Sequence, residues 1–236
     1  MIPKETLVML PGILSDAEFW HNQVVGLAGV CDPQVGDLTT SDSIEGIAQH
    51  VLAAAPDRFA LAGLSLGGYV AFEIMRVAPE RVTRVAFLDT HARKDPLESV
   101  PRRAAMKEMA KDGRYSDIAP QLMHNVLHAN FLDGPLATLM IEMAERVGPG
   151  VFLNHLKAME NRSDSRPGLA SIAVPTLVVC GEADVITPPE LAREIADGIP
   201  NAKLVIIEGA AHLPPLEQPD AVNRALADWL KEERHN

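Results

Sequence analysis

The chain is poor in the features that build metal sites, disulfide frameworks, membrane spans and nucleic-acid grooves. It has two cysteines in 236 residues, Cys31 and Cys180. They lie far apart, with no Cys-x-x-Cys pair and no Cys/His cluster around them, so two reduced, semi-buried thiols are expected. Positive charge is short as well: 21 Lys and Arg against 32 Asp and Glu give a net charge of −11. Such a surface repels nucleic acid and anionic membrane and leaves small molecules or proteins as partners. No uninterrupted apolar run approaches the roughly 18 residues of a membrane-spanning helix. The N-terminal MIPKETLVMLPG meets a Pro-Gly turn too early for a signal-peptide core, so a cytoplasmic location is expected. Internal repeats and low-complexity segments are also missing.

What is present is the composition of an ordinary soluble domain, 47% hydrophobic and 22% charged. Short apolar runs alternate with helical patterns. Strands are predicted at Thr6–Leu10, Gln34–Leu38, Arg58–Leu64, Arg84–Leu88, Pro175–Cys180 and Lys203–Ile207. Helices are predicted at Ala17–Leu27 (capped by Ser15 or Asp16), Ser43–Ala55, Leu66–Ala78, Pro188–Ala196 and Pro219–Glu233. Runs apolar on both faces, separated by helices, predict a mainly parallel twisted sheet covered on both sides, an α/β fold.

Residues 91–170 break this rhythm. Helical patterns at 97–112, 117–130, 134–147 and 149–160 follow one another without a strand. The expected organisation is a sheet core of residues 1–90 and 171–236, forming one unit with an all-helical cap, 91–170. The cap would sit over the C-terminal edge of the sheet, where open α/β sheets bind ligands. Its methionines (Met106, Met109, Met123, Met140, Met143, Met159) read as plain core residues of the insert, the alternative being that some line an adaptable apolar pocket.

One stretch carries chemistry. Gly63-Leu64-Ser65-Leu66-Gly67 fits G-x-S-x-G, with a predicted strand before it and a helix after. A sharp strand-to-helix turn would lift the Ser65 hydroxyl above the sheet, and Gly63 and Gly67 would leave it room. A serine hydroxyl is a poor nucleophile unless a neutral imidazole sits beside it and a carboxylate orients that imidazole. Asp184, in GEADVITPP, and His212, in EGAAHLPPLEQP, both follow predicted strands, so both fall at the same sheet edge as Ser65. The order Ser, acid, His completes the arrangement.

Four segments in register with this pattern, LPGILSDAEFW, GLSLGG, VPTLVVCGEADVITPP and GAAHLPPLEQPD, resemble the α/β-hydrolase family over nearly the whole chain. The resemblance implies a serine esterase of the branch holding small carboxylesterases and enol-lactonases. It implies Ser65 as nucleophile, His212 as base and Asp184 as orienting acid. It places an oxyanion hole at the backbone N–H groups of Leu66 and Ile13, with Leu14 as the other choice for the second donor. Pro11 stands where the family's oxyanion loop usually has histidine. No metal or organic cofactor is implied, and the partners expected are a small-molecule ester and, as an open option, a second copy of the chain. Lactonase, lyase, acyltransferase and perhydrolase chemistry share the same triad. The competing class is a non-catalytic ligand receptor, whose sign is a missing triad member.

Several residues have plainer readings. Asp89, ending the strand after the nucleophile helix, reads as a residue that caps or hydrogen-bonds locally, with the triad acid as the alternative. His91 reads as a polar residue at the cap's entry, Trp20 as core packing, and Arg102-Arg103 and Arg162–Arg166 as solvated cap edges. His124 and His128 stand at i and i+4, but Asn125 occupies the place where a zincin needs glutamate, which argues against zinc there.

Overall fold

The strand FALAGL has no polar side chain, and all six of its residues are buried. That pattern suits a central strand covered on both faces, and a computed structural model of the chain, describing residues 4–95 and 97–232, places it there. Six parallel strands form one sheet in the order β2-β1-β3-β4-β5-β6. They are β1 (Thr6–Leu10), β2 (Asp32–Val35), β3 (Phe59–Leu64), β4 (Val82–Leu88), β5 (Thr176–Gly181) and β6 (Lys203–Ile207).

Helices cover both faces. α1 (His21–Leu27), α8 (Pro214–Glu217) and α9 (Pro219–Leu230) pack with Ala60, Ala62, Leu88 and Val179. On the other face α2 (Ile44–Ala54), α3 (Leu66–Val77) and α7 (Pro189–Gly198) pack with Leu61, Val85, Phe87 and Val178. Each strand except the edge strand β2 therefore feeds two cores through alternate side chains. Trp20 is fully buried in the first of them.

Between β4 and β5 the described chain is helical: α4 (Val100–Lys111), α5 (Ile118–Val126) and α6 (Pro135–Glu160), with short 3₁₀ turns. α6 breaks at Gly148, whose φ of 75° only glycine adopts freely, just before Pro149. The two predicted helices 134–147 and 149–160 are the two arms of this kink.

Three expectations need correction. The second strand begins at Asp32 and ends at Val35, not Gln34–Leu38; it is an edge strand, which accepts Pro33. The first helix opens as a 3₁₀ turn, Ala17–Trp20, capped by Asp16 on the Glu18 N–H, before α1 begins. The helix predicted over 117–130 stops at Val126, because Leu127 and His128 are extended. His124 and His128 thus do not share a helix face. Ser43, expected as the first helical residue, instead caps α2 through the Gly46 N–H. The last helix ends at Leu230, and residue 233 lies outside the described chain.

Candidate active site

β3 delivers its C-terminal end to the middle of the sheet's upper edge, and the chain turns there straight into α3. Ser65 occupies the turn with φ 52° and ψ −111°, a conformation costly for a non-glycine residue. The surroundings hold it there. The Ser65 N–H donates to the Leu88 carbonyl at 3.0 Å, and Thr90 Oγ1 donates to the Ser65 carbonyl at 3.0 Å.

The flanking glycines are required for space. A Cβ on Gly63 would stand 2.3 Å from the Gly67 carbonyl oxygen, and one on Gly67 would stand 2.3 Å from the Leu10 carbonyl oxygen. Both obstacles are backbone. Gly67 is therefore excluded from carrying a side chain by the end of β1, not by Gly63. Its N–H donates to the Pro11 carbonyl at 3.0 Å. Pro11 has no N–H to offer, yet its carbonyl ties the β1 loop to the serine turn.

Asp184 follows β5 and sits 2% exposed. Its Oδ1 accepts from the N–H groups of Ile186 (2.8 Å) and Thr187 (3.0 Å), and its Oδ2 accepts from Thr187 Oγ1 at 2.6 Å. Burial alone would raise its pKa, but His212 and these hydrogen bonds outweigh it and hold the carboxyl well below the usual range. The carboxylate only accepts, so it fixes the tautomer of its partner: His212 Nδ1–H donates to Asp184 Oδ2 at 2.8 Å. His212 Nε2 is left to accept from Ser65 Oγ at 3.1 Å. The three residues named from the sequence thus meet in one buried hydrogen-bonded relay.

Leu66 follows Ser65 in the chain, and Ile13, on the loop after β1, lines the same cleft as Ser65. Among the described residues neither backbone N–H donates to a protein acceptor. Leu14, the other choice for the second donor, lies beside Ile13 with φ 62°.

Asp89 is 1% exposed, and its Oδ1 accepts from the Gly181 N–H at 2.8 Å. Burial, then the charge of Asp184, push its carboxyl well above the ordinary value. Asp89, Asp184 and His212 bring ligand-type atoms within 4.8 Å of one another. Both oxygens of Asp184 and both nitrogens of His212 are already engaged in the relay.

The arginines expected at solvated cap edges divide. Arg102 and Arg166 are exposed. Arg103 and Arg162 are buried, because both pair with Asp95 (2.6 and 2.7 Å). The Arg162 guanidinium also lies 4.1 Å above the Tyr69 ring and donates to His91 Nε2 at 3.1 Å. His91 belongs to that cluster; burial and then the charge of Arg162 press its pKa down to about 4. Both cysteines are free and buried, and burial raises the thiol pKa of each.

Glu217 carries a role that the sequence alone did not reveal. Its buried carboxylate accepts from the N–H groups of Ala211 and Leu213, on either side of His212, and from the N–H of His128. It fixes the histidine loop and ties it to the helical segment, which also accepts the His212 N–H at the Val126 carbonyl. Glu217 lies within the GAAHLPPLEQPD motif, five residues past the histidine, and that proximity is the only signal.

Ser65 and His212 open into a cleft of about 930 Å³, part of it open to solvent. Its walls are mostly apolar, and Met106, Met140, Met143 and Met159 of the helical segment are among them. Met109 and Met123 pack in or against the core instead.

Comparison with known proteins places this architecture. A family model described as the alpha/beta hydrolase family matches residues 7–225, and the chain belongs to that family. A pimeloyl-[acyl-carrier protein] methyl ester esterase from Neisseria meningitidis (strain H44/76) is 30% identical over 219 residues, covering 90% of this chain and 83% of that protein. A thermophilic esterase from Thermogutta terrifontis superposes with a TM-score of 0.89 at 27% identity, covering 97% of this chain and 90% of that one. The enol-lactonase of Burkholderia xenovorans LB400 shares the fold, with a TM-score of 0.87 at 22% identity, covering 97% and 92%. Among the described residues no helix is long and apolar enough to cross a membrane.

Proposed function

We propose that the protein hydrolyses a small-molecule carboxylic ester through an acyl-enzyme on Ser65. The observation that carries this reading is the relay Ser65–His212–Asp184, with spacings of 3.1 and 2.8 Å, buried at the floor of an apolar cleft. The esterase relatives support the same reaction class.

Ser65 Oγ attacks the ester carbonyl while His212 Nε2 takes its proton. Asp184 keeps the imidazole in the needed tautomer and stabilises the imidazolium. The tetrahedral oxyanion is met by the N–H groups of Leu66 and Ile13, each such donor typically worth about 10²–10³ in rate. His212 then protonates the leaving alcohol. Water, deprotonated by His212, attacks the acyl-serine and releases the acid. The helical segment over residues 91–170 acts as the cap that shapes the acyl and alcohol pockets. A complete relay favours turnover over a silent receptor.

Incubation with a serine-directed organophosphonate, followed by peptide mass spectrometry, tests the nucleophile. A single adduct on Ser65, lost in His212→Ala, is the expected result. Labelling elsewhere, or labelling indifferent to His212, overturns the assignment.

A further inference from the structure

The cleft above Ser65 has a lopsided charge. The chain carries a net charge of −11, yet among the described residues no carboxylate lines the cleft, and the permanent charges that do are Arg102 and Arg103 of α4. Their states differ. Arg103 is nine-tenths buried; its Nε and Nη2 hold Asp95, while its Nη1 meets only the sulfur of Met159, another residue of the cleft wall, at 3.7 Å. A thioether is a weak acceptor for a guanidinium N–H. Arg102 is exposed and makes no hydrogen bond or ion pair among the described residues.

The local charge count points the same way. Asp95 is shared by Arg103 and Arg162, so two buried cations face one anion. His91, the other titratable group on Arg162, accepts from it and is held neutral. Arg93, near His91, pairs outward with Glu194. Tyr69, under the Arg162 guanidinium, lines the cleft, and its hydroxyl makes no hydrogen bond among the described residues. A buried excess of positive charge with unused donors is costly unless an anion completes it.

We infer that the α4 wall of the cleft is an anion subsite, formed by Arg102, the Nη1 edge of Arg103 and the Tyr69 hydroxyl, and that the substrate is an ester carrying a free carboxylate away from the scissile carbonyl. The planar guanidinium fork matches a carboxylate, and a charge-assisted pair at a half-desolvated site discriminates more than apolar contact does. The apolar walls take the chain between the two ends. A half-ester of a dicarboxylic acid has this form. The inference rests on the esterase reading.

The test compares monomethyl esters of dicarboxylic acids of graded length with neutral methyl alkanoates of matching length. The wild-type protein is expected to favour the anionic ester in kcat/KM by about 10-fold or more, mainly through KM, at the best chain length. That preference ratio should fall about 10-fold in Arg102→Ala, an exposed position that leaves the fold intact, and invert in Arg102→Glu. Equal use of both ester series, or an unchanged ratio in Arg102→Ala, overturns the subsite. A binding arm separates this from failure of the reaction itself. Calorimetry on Ser65→Ala should show the monoester binding more tightly than its neutral match, and Arg102→Ala in that background should remove the difference. If that pattern holds while the wild-type protein turns over neither series, the anion subsite stands and the esterase reading falls. If the monoester has no binding advantage in Ser65→Ala, the subsite falls whatever the turnover.

Discussion

Asp89 Oδ1 meets the Gly181 N–H at 2.8 Å and leaves the imidazole of His212 to Asp184. Two buried acids at neighbouring strand ends therefore have different states. Asp184 is oriented by Thr187 and its carboxyl is held well below the usual range, whereas burial and then the charge of Asp184 push the Asp89 carboxyl well above it.

The two acids should respond unequally to amide substitution. Asp184→Asn presents an amide N–H to His212 and traps the wrong tautomer, so kcat should fall by roughly 10⁴ with the fold retained. Asp89→Asn keeps an oxygen for the Gly181 N–H and removes nothing that touches His212, so it should cost less than about 10-fold. Steady-state kinetics with p-nitrophenyl esters ranks them, and the reverse ranking would move the acid to Asp89.

Glu217 should matter beyond its own loop. Glu217→Ala leaves three backbone N–H groups without an acceptor and is expected to lower stability by about 2–4 kcal/mol in urea unfolding. Glu217→Gln keeps one oxygen for Ala211 and Leu213 but turns an amide toward the His128 N–H, and should lie between. In both, kcat should drop more than KM changes, since the loop that carries His212 loosens. A stability loss with unchanged kcat would make Glu217 structural only.

Acid should destabilise the fold through His91. Its folded pKa is about 4, pressed down by burial and then by Arg162, against about 6.5 unfolded. The unfolded chain therefore binds more protons between these values, and stability falls as pH drops from about 6.5 to about 4, by up to roughly 3 kcal/mol. Burial depresses His155 in the same direction. Asp95, lowered to about 2 by Arg103, Ser99 and Arg162 against the effect of burial, contributes fully above its unfolded pKa of about 3.9 and loses that contribution progressively as the pH falls from there to about 2. His91→Gln retains an acceptor for Arg162 and should flatten the 6.5-to-4 limb in unfolding midpoints measured at pH 7 and 4.5. An unchanged limb would contradict this origin.

The sheet core was legible because its signals are local. Uniformly apolar strands and the framed Ser65 each sit within a few residues of what they specify. Asp184 and His212 were legible for a topological reason: both follow strands of one parallel sheet, so both reach the edge where Ser65 lies. What stayed hidden depends on pairing across the chain. The end of α5 at Val126 reflects an N–H of His128 held by Glu217, 89 positions away. Arg103 and Arg162 look like surface residues until Asp95 lies between them. No periodicity records such meetings. The edge strand β2 was misplaced because an edge carries a weaker apolar pattern, and its burial alternates between exposed and partial.

The central claim is that Ser65 is the nucleophile. The direct measurement is the turnover of a p-nitrophenyl ester by Ser65→Ala, purified free of wild-type protein and checked for folding by circular dichroism. A fall of roughly 10⁶ in kcat is predicted, as for removal of a triad nucleophile. Substantial residual hydrolysis by the folded variant would contradict the account.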